Sequence, residues 1–302
     1  MIVSKIRLLV QVLFTAITNG YLIGFTQGKI YQGESKRFCV PGLNCYSCPG
    51  AVASCPIGSL QAILGARGLH FPFYLLGFFM MVGALGGRFV CGWLCPFGLF
   101  QDLLYKIPGI RKLKQVPFDR YLRYLKYGIL LVFVIGMPLL IRDMFGYGMP
   151  WFCKLICPSG TLMAGIPLVG VNENLKSAAG GLFVWKVSIL VVILLGSIMI
   201  YRPFCKYLCP LGAIYALFNR FSLVQLEIEE SKCIKCKKCE RVCKMGVPVL
   251  TNTNHAECIR CGACIKECPT GAIFVSFLGH PCTKGKESGM GEAGQLKKVT
   301  EK

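Results

Sequence analysis

Eight cysteines fall in two copies of one spacing. Cys233, Cys236, Cys239 and Cys243 read Cys-x2-Cys-x2-Cys-x3-Cys. Cys258, Cys261, Cys264 and Cys268 repeat it, with Pro269 after the last. Few patterns restrict a fold as strongly. Three thiolates at this spacing wrap one iron–sulfur cubane, and the fourth of each run ligates the other cluster. The expected ligand sets are therefore Cys233, Cys236, Cys239 and Cys268, and Cys258, Cys261, Cys264 and Cys243. The crossing makes the stretch fold as one unit. Zinc takes its four ligands from Cys-x2-Cys pairs on separate arms, which two x2-x2-x3 runs fit poorly.

From residue 222 to about 280 the chain resembles bacterial two-[4Fe-4S] ferredoxins. One departure is Lys244, where a proline usually follows the fourth cysteine of the run. Val224–Glu229 alternates apolar and polar residues, as a half-exposed strand does, and Ala272–Phe277 is a second strand candidate. The reading is a small α+β domain. Lys232, Lys235, Lys237, Lys238 and Lys244 lie among its cysteines and offer a docking face for an acidic redox protein.

A different cysteine motif recurs upstream. Cys-Pro-x-Gly occurs at Cys55, Cys95, Cys157 and Cys209. In three copies another cysteine stands four residues earlier, at Cys91, Cys153 and Cys205; the first copy has Ala51 there, with Cys48 seven residues before Cys55. Proline is favoured at the first helical position. Each second cysteine should therefore sit at a helix start, where the dipole favours an anionic thiolate or cluster. A segment helical through both cysteines would present them on one face. Each pair is then half of a four-thiolate site.

Composition supplies the setting. Of 302 residues 54% are hydrophobic and 16% charged, against about 25% charged in soluble domains. Disorder of the whole chain is excluded, because that needs low hydrophobicity. Crossing a bilayer core of roughly 30 Å takes about 20 helical residues. Ile6–Phe25, Phe71–Val90, Leu125–Ile141 and Leu182–Tyr201 qualify, although Pro138 blurs the third. The first has Lys5 and Arg7 before its apolar run and no small-residue cleavage site, so it reads as an uncleaved anchor. Lys106, Arg111, Lys112, Lys114, Arg120, Arg123 and Lys126 crowd the loop between the second and third spans, which marks it as cytoplasmic. Both termini are then cytoplasmic. Loops 26–70 and 142–181 face outward, and their apolar parts, Ala51–Gly65 and Leu162–Val171, read as re-entrant.

The predicted architecture is an α-helical multi-pass membrane domain over 1–221, with about four transmembrane helices plus re-entrant or half helices. The two-cluster domain follows over 222–280, and a polar, disordered tail over 281–302. The net charge, 34 − 14 = +20, then serves orientation and contact with anionic lipid rather than nucleic acid.

This topology brings Cys91, Cys95, Cys205 and Cys209 together on the inner side. Cys153 and Cys157 lie on the outer side, where their partners come from Cys39, Cys45, Cys48 and Cys55. The repeat favours Cys48 and Cys55, leaving Cys39 and Cys45 as alternative ligands or a disulfide. Cys282 reads as a free thiol. The Cys-x3-Cys-Pro pairs with a ferredoxin tail resemble the membrane polyferredoxins of the NapH and NosR type over roughly residues 70–275. The resemblance implies an electron-transfer subunit of the cytoplasmic membrane that works with a redox partner protein, and it maps Cys91, Cys95, Cys205 and Cys209 onto that family's membrane cysteine pairs. Cys39–Cys55 and Cys153/Cys157 depart from its quinol-oxidising members.

The departure suggests a chain of [4Fe-4S] clusters, two in the ferredoxin domain, one inner and one outer, running across the membrane. The rival reading is a quinol dehydrogenase feeding a partner reductase, with quinone as ligand. It needs a proton acceptor near the surface, for which His70, Arg88 and Asp102 are the candidates. Each has a plainer reading: His70 as an interfacial loop residue, Arg88 as a snorkelling lipid-facing anchor, Asp102 as a solvated carboxylate. A third reading is a redox sensor or maturation factor. No Cys-x-x-Cys-His haem site and no Gly-rich nucleotide loop occur.

Overall fold

The computed structural model describes residues 2–67, 71–109, 112–113 and 117–282. His70, Arg111, Lys114 and the tail from 283 on lie outside the described residues. Among those described, two helices are long and apolar enough to cross a membrane, Asp119–Leu140 and Gly181–Met199. Gly181–Met199 has a mean hydropathy of 2.4 and leaves Val184, Val191, Val192 and Leu195 exposed. A helix apolar all round belongs in a core or a bilayer, and this one presents much of its apolar surface outward. The expected first and second spans are shorter, Ile2–Thr18 and Phe73–Gly86. The third is longer than expected because it starts at Asp119 rather than Leu125, and it runs through Pro138 as the expected span did. A π-helical stretch, Leu130–Gly136, absorbs the donor that proline lacks. The same device, Thr161–Gly165, precedes Pro167 in the helical run Pro158–Val171. The apolar parts of the two expected outer loops are thus helical, Pro56–Leu64 and Pro158–Val171.

Phe73–Gly86 ends because of Gly87. That residue has φ +52°, and a Cβ there would lie 2.5 Å from Asn219 Oδ1, so only glycine fits. The chain then enters the first of three near-identical corners. A five-residue helix carries the first cysteine of each pair: Phe89–Trp93, Trp151–Leu155 and Pro203–Tyr207. Its carbonyl at Val90, Phe152 or Phe204 accepts from both of the two residues that follow the helix. The second cysteine, Cys95, Cys157 or Cys209, then has extended backbone, with proline opening the next helix. Cys55 caps Pro56–Leu64 in the same way. The second cysteine therefore stands at a helix start. The two cysteines of a pair do not share one helix, because the corner intervenes.

The C-terminal region holds a three-stranded antiparallel sheet in the order β1-β2-β3: Val224–Ile228, Ile273–Phe277 and His280–Pro281. The third strand carries the sheet one residue past 280. The two cysteine runs between β1 and β2 fold alike. Lys235 and Arg260 share a positive φ, 51° and 50°, as do Lys237 and Gly262, 58° and 74°. Each run then enters a short helix, Lys238–Val242 or Ala263–Glu267.

This region is packed tightly onto the corner at Cys91. A Cβ on Gly92 would lie 2.3 Å from the carbonyl oxygen of Ile259. Trp93 Nε1 donates to Arg260 O at 3.0 Å. Asn219 Nδ2 donates to His255 O and Cys258 O, and Arg260 donates to Gly86 O and Asn219 O. Gly92→Ala should therefore push the 256–260 loop off the corner, at a cost of about 1–3 kcal/mol from overpacking. Faster amide exchange across 256–262 is the expected result; exchange unchanged from wild type would show that the contact is not tight.

Candidate iron–sulfur sites

Among the described residues, no group of three or more His, Cys, Asp or Glu side chains closes tightly enough to hold a single metal ion. Two sets of four cysteines instead surround volumes. Cys91, Cys95, Cys205 and Cys209 line a small, enclosed space walled by Pro41, Leu43, Val90, Phe97 and Leu211. Cys233, Cys236, Cys239 and Cys268 line another, with Leu250 and Ile273. The two spaces lie in different parts of the chain, yet each is walled by four cysteines. Four thiolates at each are the donor set that a [4Fe-4S] cluster takes.

The remaining ferredoxin cysteines form a third set. Burial pushes the Cys264 thiol up, and Cys258, Cys261 and Cys243 act on it in the same direction. The fourth set lies among the other Cys-Pro corners. Cys153 has Cys157, Cys55 and Cys45 as its thiol neighbours. A Cβ on Gly160 would lie 3.6 Å from Cys45 Sγ and 3.9 Å from Cys157 Sγ. Cys45 rather than Cys48 therefore stands beside Cys157. Cys48 lines a separate apolar groove with Phe97, Phe100 and Leu162, and Cys39 Sγ lies 3.7 Å from Ser59 Oγ. All 19 cysteines are free, with Cys282 exposed.

Two glutamines mark how the corners pair. Gln101, six residues after Cys95, donates to Cys205 Sγ at 3.2 Å. Gln61, six residues after Cys55, donates to Cys153 Sγ at 3.3 Å. The Cys91/Cys95 corner thus meets the Cys205/Cys209 corner, and the Cys55 helix start meets the Cys153/Cys157 corner, by the same contact.

Three segments, residues 69–114, 128–171 and 182–227, match the family described as a 4Fe-4S binding domain. Each holds one Cys-x3-Cys-Pro corner. Two further 4Fe-4S binding domain families match residues 226–248 and 252–274, one over each ferredoxin-type run. This is a membrane-type polyferredoxin of the 4Fe-4S binding family. The polyferredoxin is 27% identical over 203 residues to an uncharacterised protein of Methanocaldococcus jannaschii, covering 65% of this chain and 68% of that one. It is 28% identical to the ferredoxin-type protein NapH of Haemophilus influenzae, over 60% of this chain and 56% of that protein. It is 32% identical to the regulatory protein NosR of Pseudomonas aeruginosa, over 53% of this chain and 21% of that one. It thus spans about half of NapH and a fifth of NosR. No solved structure matches. The polyferredoxin binds [4Fe-4S] clusters.

The charged residues correct two expectations. Arg88 does not face lipid. It is fully buried and gives Nη1 to Glu257 Oε2 at 2.5 Å and Nη2 to Cys205 O at 2.9 Å. Lys126, also fully buried, pairs with the other oxygen of Glu257. Asp102 is not solvated either: it is 5% exposed and takes Arg202 at 2.5 Å and Arg7 at 3.1 Å. A buried ion is retained only when paired and hydrogen-bonded, and the polyferredoxin pairs each carboxylate with two cations. Burial would raise the Glu257 carboxyl, but Arg88 and Lys126 hold it down at about 2. Lys244 lies over the rings of Tyr105 and Tyr201, at 5.3 and 5.4 Å from their centroids, so it packs against the helical part.

Gln61, Gln101, Arg202, Asn219 and Glu257 were not singled out from the sequence, and Lys126, read there as a loop cation, is buried within the helix Asp119–Leu140. A signal was present for three of the five. Arg88 and Arg202 each stand three residues before the first cysteine of a corner, and both glutamines stand six after a Cys-Pro cysteine. Nothing in the sequence marks Glu257 as the partner of residues far upstream.

Proposed function

We propose that this polyferredoxin is an electron wire of the cytoplasmic membrane, joining a cytoplasmic redox protein to an acceptor in or across the bilayer. Four clusters serve it. One is held by Cys233, Cys236, Cys239 and Cys268, and the next by Cys258, Cys261, Cys264 and Cys243. Cys91, Cys95, Cys205 and Cys209 hold the inner one, and Cys45, Cys55, Cys153 and Cys157 the outer one. When bound, the clusters supply one-electron donor and acceptor chemistry. The chain's own part is to hold the thiols, keep water out and fix neighbouring sites against each other.

The observation that carries the reading is the seat of the ferredoxin-type region on the Cys91 corner. The loop that bears Cys258 is packed on the helix that bears Cys91 with no room for a methyl group at Gly92. Two such sites are fixed together rather than meeting by diffusion. The cationic loop before Asp119–Leu140 supports a cytoplasmic position for this end, and the exposed apolar flank of Gly181–Met199 supports contact with lipid. The exposed lysines 232, 235, 237 and 238 suit an acidic partner protein, within a larger complex. Iron analysis of the purified chain tests the reading. Four clusters require about sixteen irons per chain; a value near eight leaves only the ferredoxin pair, and the wire fails.

The quinol reading keeps one supporting feature. An apolar groove lined by Phe25, Phe97, Phe100, Leu103, Leu162 and Met163 opens beside Pro96, next to Cys95. Mostly apolar clefts with a few polar groups suit such ligands. Its polar lining is Thr15 and Asn19, neither of which is a good proton acceptor.

A further inference from the structure

We infer that Arg88 and Arg202 form an exchanged pair of buried cations that raises the reduction potential of the inner cysteine site. The inference rests on the reading that Cys91, Cys95, Cys205 and Cys209 hold a cluster.

The exchange is reciprocal. Arg88 stands three residues before Cys91 but donates to the carbonyl of Cys205 at 2.9 Å. Arg202 stands three residues before Cys205 but donates to the carbonyl of Cys91. Each guanidinium therefore crosses to the other corner. The glycine of each Cys-Pro-x-Gly makes the crossing possible. A Cβ on Gly98 would lie 3.2 Å from Arg202 Nη1 and from Cys91 O, and one on Gly212 would lie 3.2 Å from Arg88 Nη2 and 3.3 Å from Cys205 O. Both arginines are fully buried. They stand behind the cysteine-lined cavity rather than in its wall, so they act through position and charge, not as ligands.

The charge count on the two sides is the same. Arg88 and Lys126 meet the single carboxylate of Glu257. Arg202 and Arg7 meet the single carboxylate of Asp102. Each side leaves one positive charge in surplus next to the thiols. Uptake of one electron makes the site one unit more negative, with no bond made or broken and no proton moved. A fixed buried cation stabilises that state, since local charge is one of the levers on cluster potential and burial strengthens its effect. The electron comes from, or goes to, the adjacent Cys258 site, one site being oxidised as the other is reduced.

The outer site has one such corner, at Cys153 and Cys157, together with the Cys55 helix start and the same glutamine contact, but not this pair. The matching positions are Cys48 and Pro150. A purely structural need of the corner would call for the arginines in both sites. Their confinement to the inner one points to a task set by its charge.

An EPR-monitored redox titration of the full chain with its clusters tests this. The inner signal is the one that Cys95→Ser abolishes. Arg202→Gln should move its midpoint negative by a factor of at least ten in the reduced-to-oxidised ratio, about 59 mV for one electron. Arg202→Lys should restore most of that shift. Asp102→Asn, which strips a carboxylate from the same cluster of charges, should move the midpoint the opposite way. Structural damage would not give opposite signs. If Arg202→Gln abolishes the signal, Asp102→Asn alone decides. An unmoved midpoint, or the same sign in both variants, overturns the inference. If the wild-type chain shows no signal that Cys95→Ser removes, the four-thiolate reading itself has failed, and the inference falls with it.

Discussion

Cys95→Ser and Cys157→Ser should each cost the purified chain about four irons and one EPR signal, and the two lost signals should differ. The expectation follows from how the sites are built. Cys95 shares its cavity with Cys91, Cys205 and Cys209, whereas Cys157 has Cys45 beside it across Gly160. No cysteine of one set belongs to the other, so each loss should be confined to one site. Both are buried N-cap positions ahead of a proline, so serine keeps the backbone and removes only the thiolate. Cys48→Ser is the companion variant. It should leave both signals, because Cys48 faces the apolar groove. Loss of one common signal in Cys95→Ser and Cys157→Ser would merge the two sites into one and end the transmembrane wire. Loss of a signal in Cys48→Ser would return Cys48 to the ligand set in place of Cys45.

The largest stability effect should come from Glu257→Gln. The carboxylate bridges Arg88 and Lys126, all three groups being buried. Removing one partner of a buried ion pair typically costs about 3–5 kcal/mol, because the other is left uncompensated. Here two cations are left. Arg88 is held by the helical part and Glu257 by the ferredoxin-type region, so the damage should fall on the seat between them. The expected result is a lower unfolding midpoint and easier proteolysis within 222–282. Glu229→Gln is the control. Glu229 pairs with Lys232 on the exposed surface, and exposed pairs contribute little, so no measurable change is expected. Equal stability of the Glu257→Gln variant and the wild type would remove the bridge as an anchor of the seat.

Different parts of the structure were legible to different degrees. The corners were largely readable, because proline and its missing N–H dictate where a helix starts. The interruption between the paired cysteines was not, since it arises from hydrogen bonds to Val90, Phe152 and Phe204 that no residue type announces. The helix runs through Pro138 as its apolar pattern predicts, and the π-helical stretch that accommodates the proline by local rewinding has no signal in the residue types. For the outer set the repeat points to Cys48 by alignment, while the fold places Cys45, from a loop that follows no repeat, beside Cys157 across Gly160.

Arg88 and Asp102 show the limit most plainly. From the sequence alone, an isolated charge at the edge of an apolar segment is best explained by water or headgroups. The alternative is a partner about one hundred residues away or more (Arg202 for Asp102, Glu257 for Arg88). Spacing along the chain determined by itself the number and kind of the thiols, the crossed ferredoxin pairing expected of them and the proline-led helix starts, because these are local consequences of covalent geometry. Which corners meet, which cations are buried behind them and where the ferredoxin-type region is seated were decided only by the tertiary structure. Those contacts are long-range, and their energies come from burial and charge pairing that exist only once the chain has closed on itself.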